Sequence, residues 1–211
     1  MATLLICENL GKTFGVRTLF RGVSLSIDER DCVGMIGPNG SGKSTLLKIL
    51  AGLEEPDPPP AGEAAGITTR RNLRAAYVAQ QDAFDPARSL LSVVAEAMAD
   101  HVHDEHDREE RARLALARVG LDDPAAAVGS LSGGWRKRLA ITRELAREPD
   151  LLLMDEPTNH LDLAGIEWLE DVLEAQPIAT VVVTHDRLFL ERAVTRIIEL
   201  SSAYPKGTFA V

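Results

Sequence analysis

The sequence predicts an α/β fold in which a mostly parallel sheet is interrupted by a helical insertion. Three observations predict it. Residues 151–154 and 180–184 are uninterrupted aliphatic runs, as expected of parallel strands covered on both faces. A Gly-rich turn at 37–44 joins an apolar run to a helical pattern. From about residue 89 to 147 the apolar spacing is helical in three successive segments.

Each element follows from its local pattern. Residues 4–7 form a short apolar run, and 23–27 alternate like a half-buried strand. Residues 31–36 are a compact run ending in the Gly-rich turn. A helix is expected over 44–53, with Leu46, Leu47, Ile49 and Leu50 on its apolar side. Pro56, Pro58, Pro59 and Pro60 forbid a helix in the next segment, so 54–66 reads as loop. Residues 72–79 read as a strand. Helices are expected over 90–98, 108–119 and 134–147, and another over 163–175 between the two aliphatic strands. The tail reads as helix from 187, a strand at 196–200 and a polar end. There is no internal repeat.

Composition limits the function. The 211 residues suit one domain, and 45% hydrophobic with 26% charged residues suits a globular chain. Aromatics are 4%, so the core is aliphatic. Lys and Arg total 23 against 32 Asp and Glu, a net charge of −9, so whole-surface attraction to nucleic acid or anionic membrane is not expected. Cys7 and Cys32 lie in apolar strand-like runs and read as buried, reduced thiols rather than a disulfide or metal site. No apolar run reaches bilayer-spanning length, and the first residues carry no basic leader pattern. A cytoplasmic location is expected.

Two motifs carry chemistry. Gly37-Pro38-Asn39-Gly40-Ser41-Gly42-Lys43-Ser44 matches G-x-x-x-x-G-K-[ST] at every fixed position. Glycines let backbone N–H groups wrap a phosphate, and the following helix turns its positive end to the anion. Lys43 is placed to reach the β- and γ-phosphates of a nucleotide, Ser44 to ligate Mg2+ and Thr45 to touch the α-phosphate. The second motif is Asp155-Glu156 at the end of the aliphatic strand 151–154. Ligands of open α/β sheets bind at the carboxyl ends of strands. There Asp155 can hold Mg2+ through water, and Glu156 can take a proton from water attacking the γ-phosphorus.

These motifs, with Leu131-Ser132-Gly133-Gly134 between them, resemble the ATP-binding cassette (ABC) ATPases over essentially the whole chain. The resemblance implies a P-loop NTPase core with an antiparallel β subdomain and an inserted α-helical subdomain. In this reading residues 1–211 form one nucleotide-binding domain, with the core at 1–80 and 148–211 and the helical subdomain at about 82–147. Asp155-Glu156-Pro157-Thr158-Asn159-His160-Leu161-Asp162 and Gly134-Trp135-Arg136-Lys137-Arg138 are similar to the ABC-F branch, and to Uup-like members in particular. Transporter cassettes usually carry Ser-Ala in place of Asn159-His160, and Gln in place of Trp135. ABC-F proteins use ATP on the ribosome, with two cassettes in tandem joined by a helical linker. This chain has one cassette and is expected to be the amino-terminal one. The runner-up is the nucleotide-binding subunit of a transporter with a separate membrane partner.

The resemblance also assigns roles. Gln80 corresponds to the Q-loop glutamine that senses Mg2+ and the attacking water, although Gln81 leaves the register open by one. His185 corresponds to the switch histidine that donates to the γ-phosphate. Phe14, in Thr13-Phe14-Gly15, would stack on adenine with Val16 beside it; core packing is the other reading. Ser132, Gly133 and Gly134 would donate to the γ-phosphate of a second cassette, and Asp162 would couple the two sites. ATP and Mg2+ are the implied ligands, and Glu156, His185, Gln80 and Lys43 the implied catalytic set. The implied partners are a second cassette, in tandem or as a homodimer, and the ribosome or its rRNA.

Three further clusters have two readings each. His101, His103 and His106 lie among acids, as a charged loop or a metal site. Arg136, Lys137, Arg138 and Arg143 form a basic stripe, as a solvated helix face or a contact to rRNA or nucleotide. Arg70, Arg71 and Arg74 read as surface charges.

Overall fold

The computed structural model describes residues 2–176 and 178–201, and the backbone of 208–210. Residues 204–207, where the family pattern places the end of a first cassette, lie outside the described residues. The chain first forms β1 (Thr3–Phe14) and β2 (Arg17–Asp28), paired antiparallel. β3 (Cys32–Ile36) leads through the Gly-rich turn into α1 (Lys43–Leu50). β4 (Gly66–Thr69) returns to pair antiparallel with β1, Leu5 opposite Thr69. A three-stranded antiparallel sheet, ordered β2-β1-β4, results.

The main sheet is ordered β5-β6-β7-β3-β8-β9. Its strands β5 (Ala75–Val78), β6 (Leu151–Asp155), β7 (Ala179–Val183), β3 and β8 (Arg196–Leu200) run parallel, and β9 (Thr208–Ala210) is antiparallel to β8. Every residue of β6 and β7 is buried, which accounts for their unbroken aliphatic sequences. Between β5 and β6 come α2 (Leu90–Ala97), α3 (Glu105–Arg118), a 3-10 turn (Val128–Ser130) and α4 (Gly133–Leu145). α5 (Leu163–Ala175) and α6 (Arg187–Ala193) complete the helices.

Three apolar clusters hold these layers. One joins α1 to the main sheet and the small sheet, through Leu46, Leu47, Val33, Met35 and Leu5. A second lies among α2, α3 and α4, through Val94, Leu116 and Leu139. The third fastens α4, α5 and α6 to the other face of the main sheet, through Ile141, Leu169 and Phe189. Cys7 and Cys32 are free thiols, and burial pushes each up to about 11, so neither is a ready thiolate at neutral pH. No helix among the described residues is long and apolar enough to cross a membrane.

The structure differs from the sequence reading in places. β4 starts on the last residue of the segment expected to be loop and runs through residues for which no element was expected, and β9 lies in an end expected to be polar and without a strand. β1 extends well past residue 7 because β2 pairs with it along its length. α3 starts at Glu105, three residues early, because Asp104 caps it by accepting from the Asp107 N–H. His106 therefore sits in a helix rather than in a loop.

Candidate nucleotide site

The Gly-rich turn leaves β3 at the carboxyl edge of the sheet. Gly37 has φ 148°, and a Cβ there would stand 2.3 Å from the Leu200 carbonyl oxygen. Gly42 has φ 97°, and a Cβ would stand 2.7 Å from the Phe20 ring. A side chain fits at neither position, so the turn needs glycine. Ser89, Asp104, Ser132, Asp162 and Asp186 cap their helices with a side-chain oxygen. α1 alone among the described α-helices starts on a residue without such a cap, Gly42. Its first-turn N–H groups are thus left for an anion.

Lys43 folds back over the turn. Its ammonium donates to the carbonyls of Gly37 (2.9 Å) and Pro38 (3.2 Å). Burial lowers its pKa, and the charges of Glu156 and Asp155 oppose that shift. Both acids therefore lie within electrostatic reach of Lys43. One strand, β7, separates β3 from β6, so the turn and the acidic strand end are about 10 Å apart across the sheet.

Asp155 is 2% exposed. The Tyr77 hydroxyl donates to its Oδ2 at 3.4 Å, while Oδ1 is buried and accepts from no described residue. Ser41 Oγ, in the turn, is likewise buried without a partner. A buried carboxylate oxygen left over from the protein's own hydrogen bonds suits a hydrated divalent cation, and a spare hydroxyl suits a phosphate.

Glu156 follows in a left-handed conformation, φ 49°, held by its N–H donating to the Val183 carbonyl at 2.8 Å. Its Oε1 lies 3.4 Å from His185 Nε2. Burial raises the Glu156 pKa, against the lowering effect of His185. His185 is positioned from below: Thr184 Oγ1 is 2.8 Å from Thr158 Oγ1 and accepts from the Asp186 N–H at 3.1 Å. This buried pair ties the end of β7 to the segment after Glu156.

A cleft of about 570 Å3 collects these groups. Asn39, Gly40, Gly42, Lys43, Ser44, Thr45, Gln80, Glu156 and His185 line it. Gln80, not Gln81, is in that lining. Gly37, Pro38, Ser41 and Asp155 are not in that lining. Arg17 and Leu19, which no sequence motif marks, also line the cleft, as does Asn159 from the segment after Glu156. Arg17 donates to the Gly40 carbonyl at 3.0 Å and so braces the turn from β2. Phe14 and Val16 are outside the lining, at the β1–β2 hairpin. Phe14 is 53% exposed, with the Lys12 ammonium 5.5 Å from its ring centre, and Val16 is fully exposed.

Ser132, Gly133 and Gly134 do not line the cleft of their own chain. Ser132 caps α4 through the Trp135 N–H. A Cβ on Gly134 would stand 2.7 Å from the His160 carbonyl oxygen, so the start of α4 rests on the His160–Leu161 backbone. Asp162, with its side chain 82% exposed, caps α5. The basic stripe expected along α4 is not one surface. Lys137 is buried, Arg138 lies between the Trp135 and Trp168 rings (4.6 and 5.3 Å), and Arg143 covers Phe84 (4.8 Å). Arg70 bridges Glu29 and Asp150 rather than standing free.

The family described as ABC transporter matches residues 20–159. The chain is 39% identical to the uncharacterized ABC transporter ATP-binding protein YfmR of Bacillus subtilis over 99% of its own length and 38% of the relative's. It is 39% identical to the ATP-binding protein Uup of Caulobacter vibrioides, covering 92% of this chain and 30% of Uup. With the energy-dependent translational throttle protein EttA of Mycobacterium tuberculosis, identity is 35%, over 94% of this chain and 41% of EttA. The chain thus spans well under half the length of each of these relatives. A dimeric ATP-binding cassette in a post-hydrolysis state, bound to ADP and Pi, superposes with TM-score 0.81 at 26% identity, covering 98% of both chains. A Gly-rich turn, an acidic strand end and a glutamine and histidine around one cleft agree with that likeness, and the chain belongs to the ATP-binding cassette family.

Proposed function

We propose that this chain is an ATP hydrolase cassette that closes on ATP against a second cassette and opens when the γ-phosphate is cut. The observation that carries the reading is the single cleft where Lys43, Gln80, Glu156 and His185 meet beneath an uncapped helix start. Lys43 exchanges its two carbonyl partners for the β- and γ-phosphates. Ser44 and Asp155, with Gln80, would hold Mg2+, which when bound neutralises charge developing on the phosphate oxygens. Glu156 accepts the proton of the attacking water, and burial makes it a stronger base than an ordinary carboxylate. His185, beside Glu156, donates to the γ-phosphate. Phe14, with Val16, offers an exposed ring to adenine at the hairpin. Residues of about 82–147 form the helical subdomain, and 1–80 with 148–211 the core.

Because Ser132, Gly133 and Gly134 stay out of their own cleft, they serve the cleft of a partner cassette, with Asp162 at the junction. Their N–H groups and helix end stabilise the γ-phosphate from the far side. Loss of that phosphate releases the halves. The resemblance to the ABC-F branch, and the printed name of EttA as a translational throttle protein, support a target in the cytoplasmic translation machinery, the ribosome or its rRNA. The family's description and YfmR's name favour a second reading, a transporter motor awaiting a membrane partner.

Calorimetric MgATP titration and phosphate release test the first claim. Glu156→Gln is expected to bind MgATP and to hydrolyse it about 10²–10⁴-fold more slowly. A variant with the wild-type rate removes Glu156 from the role of base. For the target, the same variant with MgATP is sedimented with ribosomes or with membrane vesicles; sedimentation with membranes alone favours the transporter motor.

A further inference from the structure

Lys137 is the one strongly buried lysine on α4, and its three ammonium protons are all used. They go to the Ala79 carbonyl (2.7 Å), the Gln80 carbonyl (3.1 Å) and Asp82 Oδ2 (2.8 Å). The side chains of Lys137 and Asp82 are 4% and 5% exposed. Asp82 Oδ1 faces Arg143 at 3.5 Å, and Arg143 also covers Phe84. Two turns of α4 therefore grip residues 79–84, the segment that leaves β5 and carries Gln80 into the cleft. Lys137 lies five residues beyond Ser132 on the same helix, about 7.5 Å along its axis.

We infer that Lys137 is a positioning residue that ties Gln80 to the signature helix α4. This rests on the hydrolase reading above, since Gln80 matters there through the water and the metal. The ammonium holds the backbone of Gln80, not its side chain. When α4 shifts to present Ser132 and Gly133 to a partner's phosphate, the Gln80 carbonyl must shift with it or break three buried hydrogen bonds. A charged pair with no solvent access resists that break, because each ion would be stranded. Docking of the signature in one cleft is thereby transmitted to the glutamine of the other. Lys43 and the Gly-rich turn share none of these bonds, so ATP affinity is set separately.

Removing Lys137 alone strands Asp82, so the test uses Lys137→Met with Asp82→Leu, an apolar pair that keeps the site filled. The full chain is measured with MgATP for affinity, kcat and melting temperature, alone and combined with Gln80→Ala. The pair is expected to lower kcat about tenfold or more while changing the Kd for MgATP little. Added to Gln80→Ala, it is expected to lower kcat no further, within about twofold, because both changes disable one device. A structural role alone would multiply the two losses. Multiplied losses, or wild-type kcat in the paired variant, overturn the inference. Hydrogen exchange supplies an arm independent of turnover. In the wild type MgATP is expected to protect 79–84 and the start of α4 together, and in the paired variant α4 alone. Retention of the wild-type response at 79–84 overturns the inference even if the chain proves not to hydrolyse ATP, a result that would count against the hydrolase reading separately.

Discussion

Glu156 stands in a left-handed conformation, buried, with a histidine nitrogen 3.4 Å from its carboxylate. Strain of this kind persists only where the surroundings enforce it, here the Val183 hydrogen bond and the Thr158–Thr184 pair. Its raised pKa has two consequences of known sign. Protonation removes the base, so kcat is expected to fall as pH drops through a value above the ordinary glutamate range; an acid limb within that range contradicts the assignment. For stability, a raised folded pKa favours the folded state fully below the unfolded value, and that contribution is lost as pH rises through the folded pKa. Glutamine does not titrate. Glu156→Gln is therefore expected to melt higher than the wild type at pH 7, with the difference shrinking toward pH 4, as read by calorimetry. Lys43→Ala removes the cation at the turn and is expected to weaken MgATP binding about tenfold or more. Unchanged affinity would place the phosphates elsewhere.

The elements show what the sequence carried and what it did not. The limits of α5 and β8 match the sequence reading, since each is bounded by its own local signals. The Gly-rich turn is legible from the spacing of its motif, although the atoms that exclude a side chain at Gly37 and Gly42 belong to Leu200 and Phe20, outside the turn. β4 was not legible. Its four residues, Gly-Ile-Thr-Thr, become a strand only because β1 pairs with them from some sixty positions away. Lys137 was misplaced in a surface stripe because its partners, at residues 79–82, reach it only through the packing of α4 on β5. Tyr77, Thr158 and Thr184 were missed likewise; each supports a site residue from an adjoining strand end or loop. At this scale Gly134→Ala drives a methyl group into the His160 carbonyl. It is expected to cost about 1–3 kcal/mol, seen as a melting point lower by roughly 2–4 °C per kcal/mol. An unshifted melting point would mean that α4 does not rest on that loop.

Helices α2 and α3 are held by an apolar cluster apart from the two that hold the sheets, with α4 shared between that cluster and one of the sheet clusters. Leu116, fully buried among α2, α3 and α4, tests that division. Leu116→Ala is expected to cost about 2–5 kcal/mol, and exchange of amides in α2 and α3 should rise before that in β6 and β7. Uniform loss across the chain would show one cooperative core instead. The signature segment lies outside the cleft of its own chain, and the proposed function needs a second cassette to close that cleft. Light scattering of the Glu156→Gln chain, with and without MgATP, tests that most directly. The account predicts a monomer without nucleotide and twice that mass once MgATP is added; one unchanged mass in both solutions would contradict it.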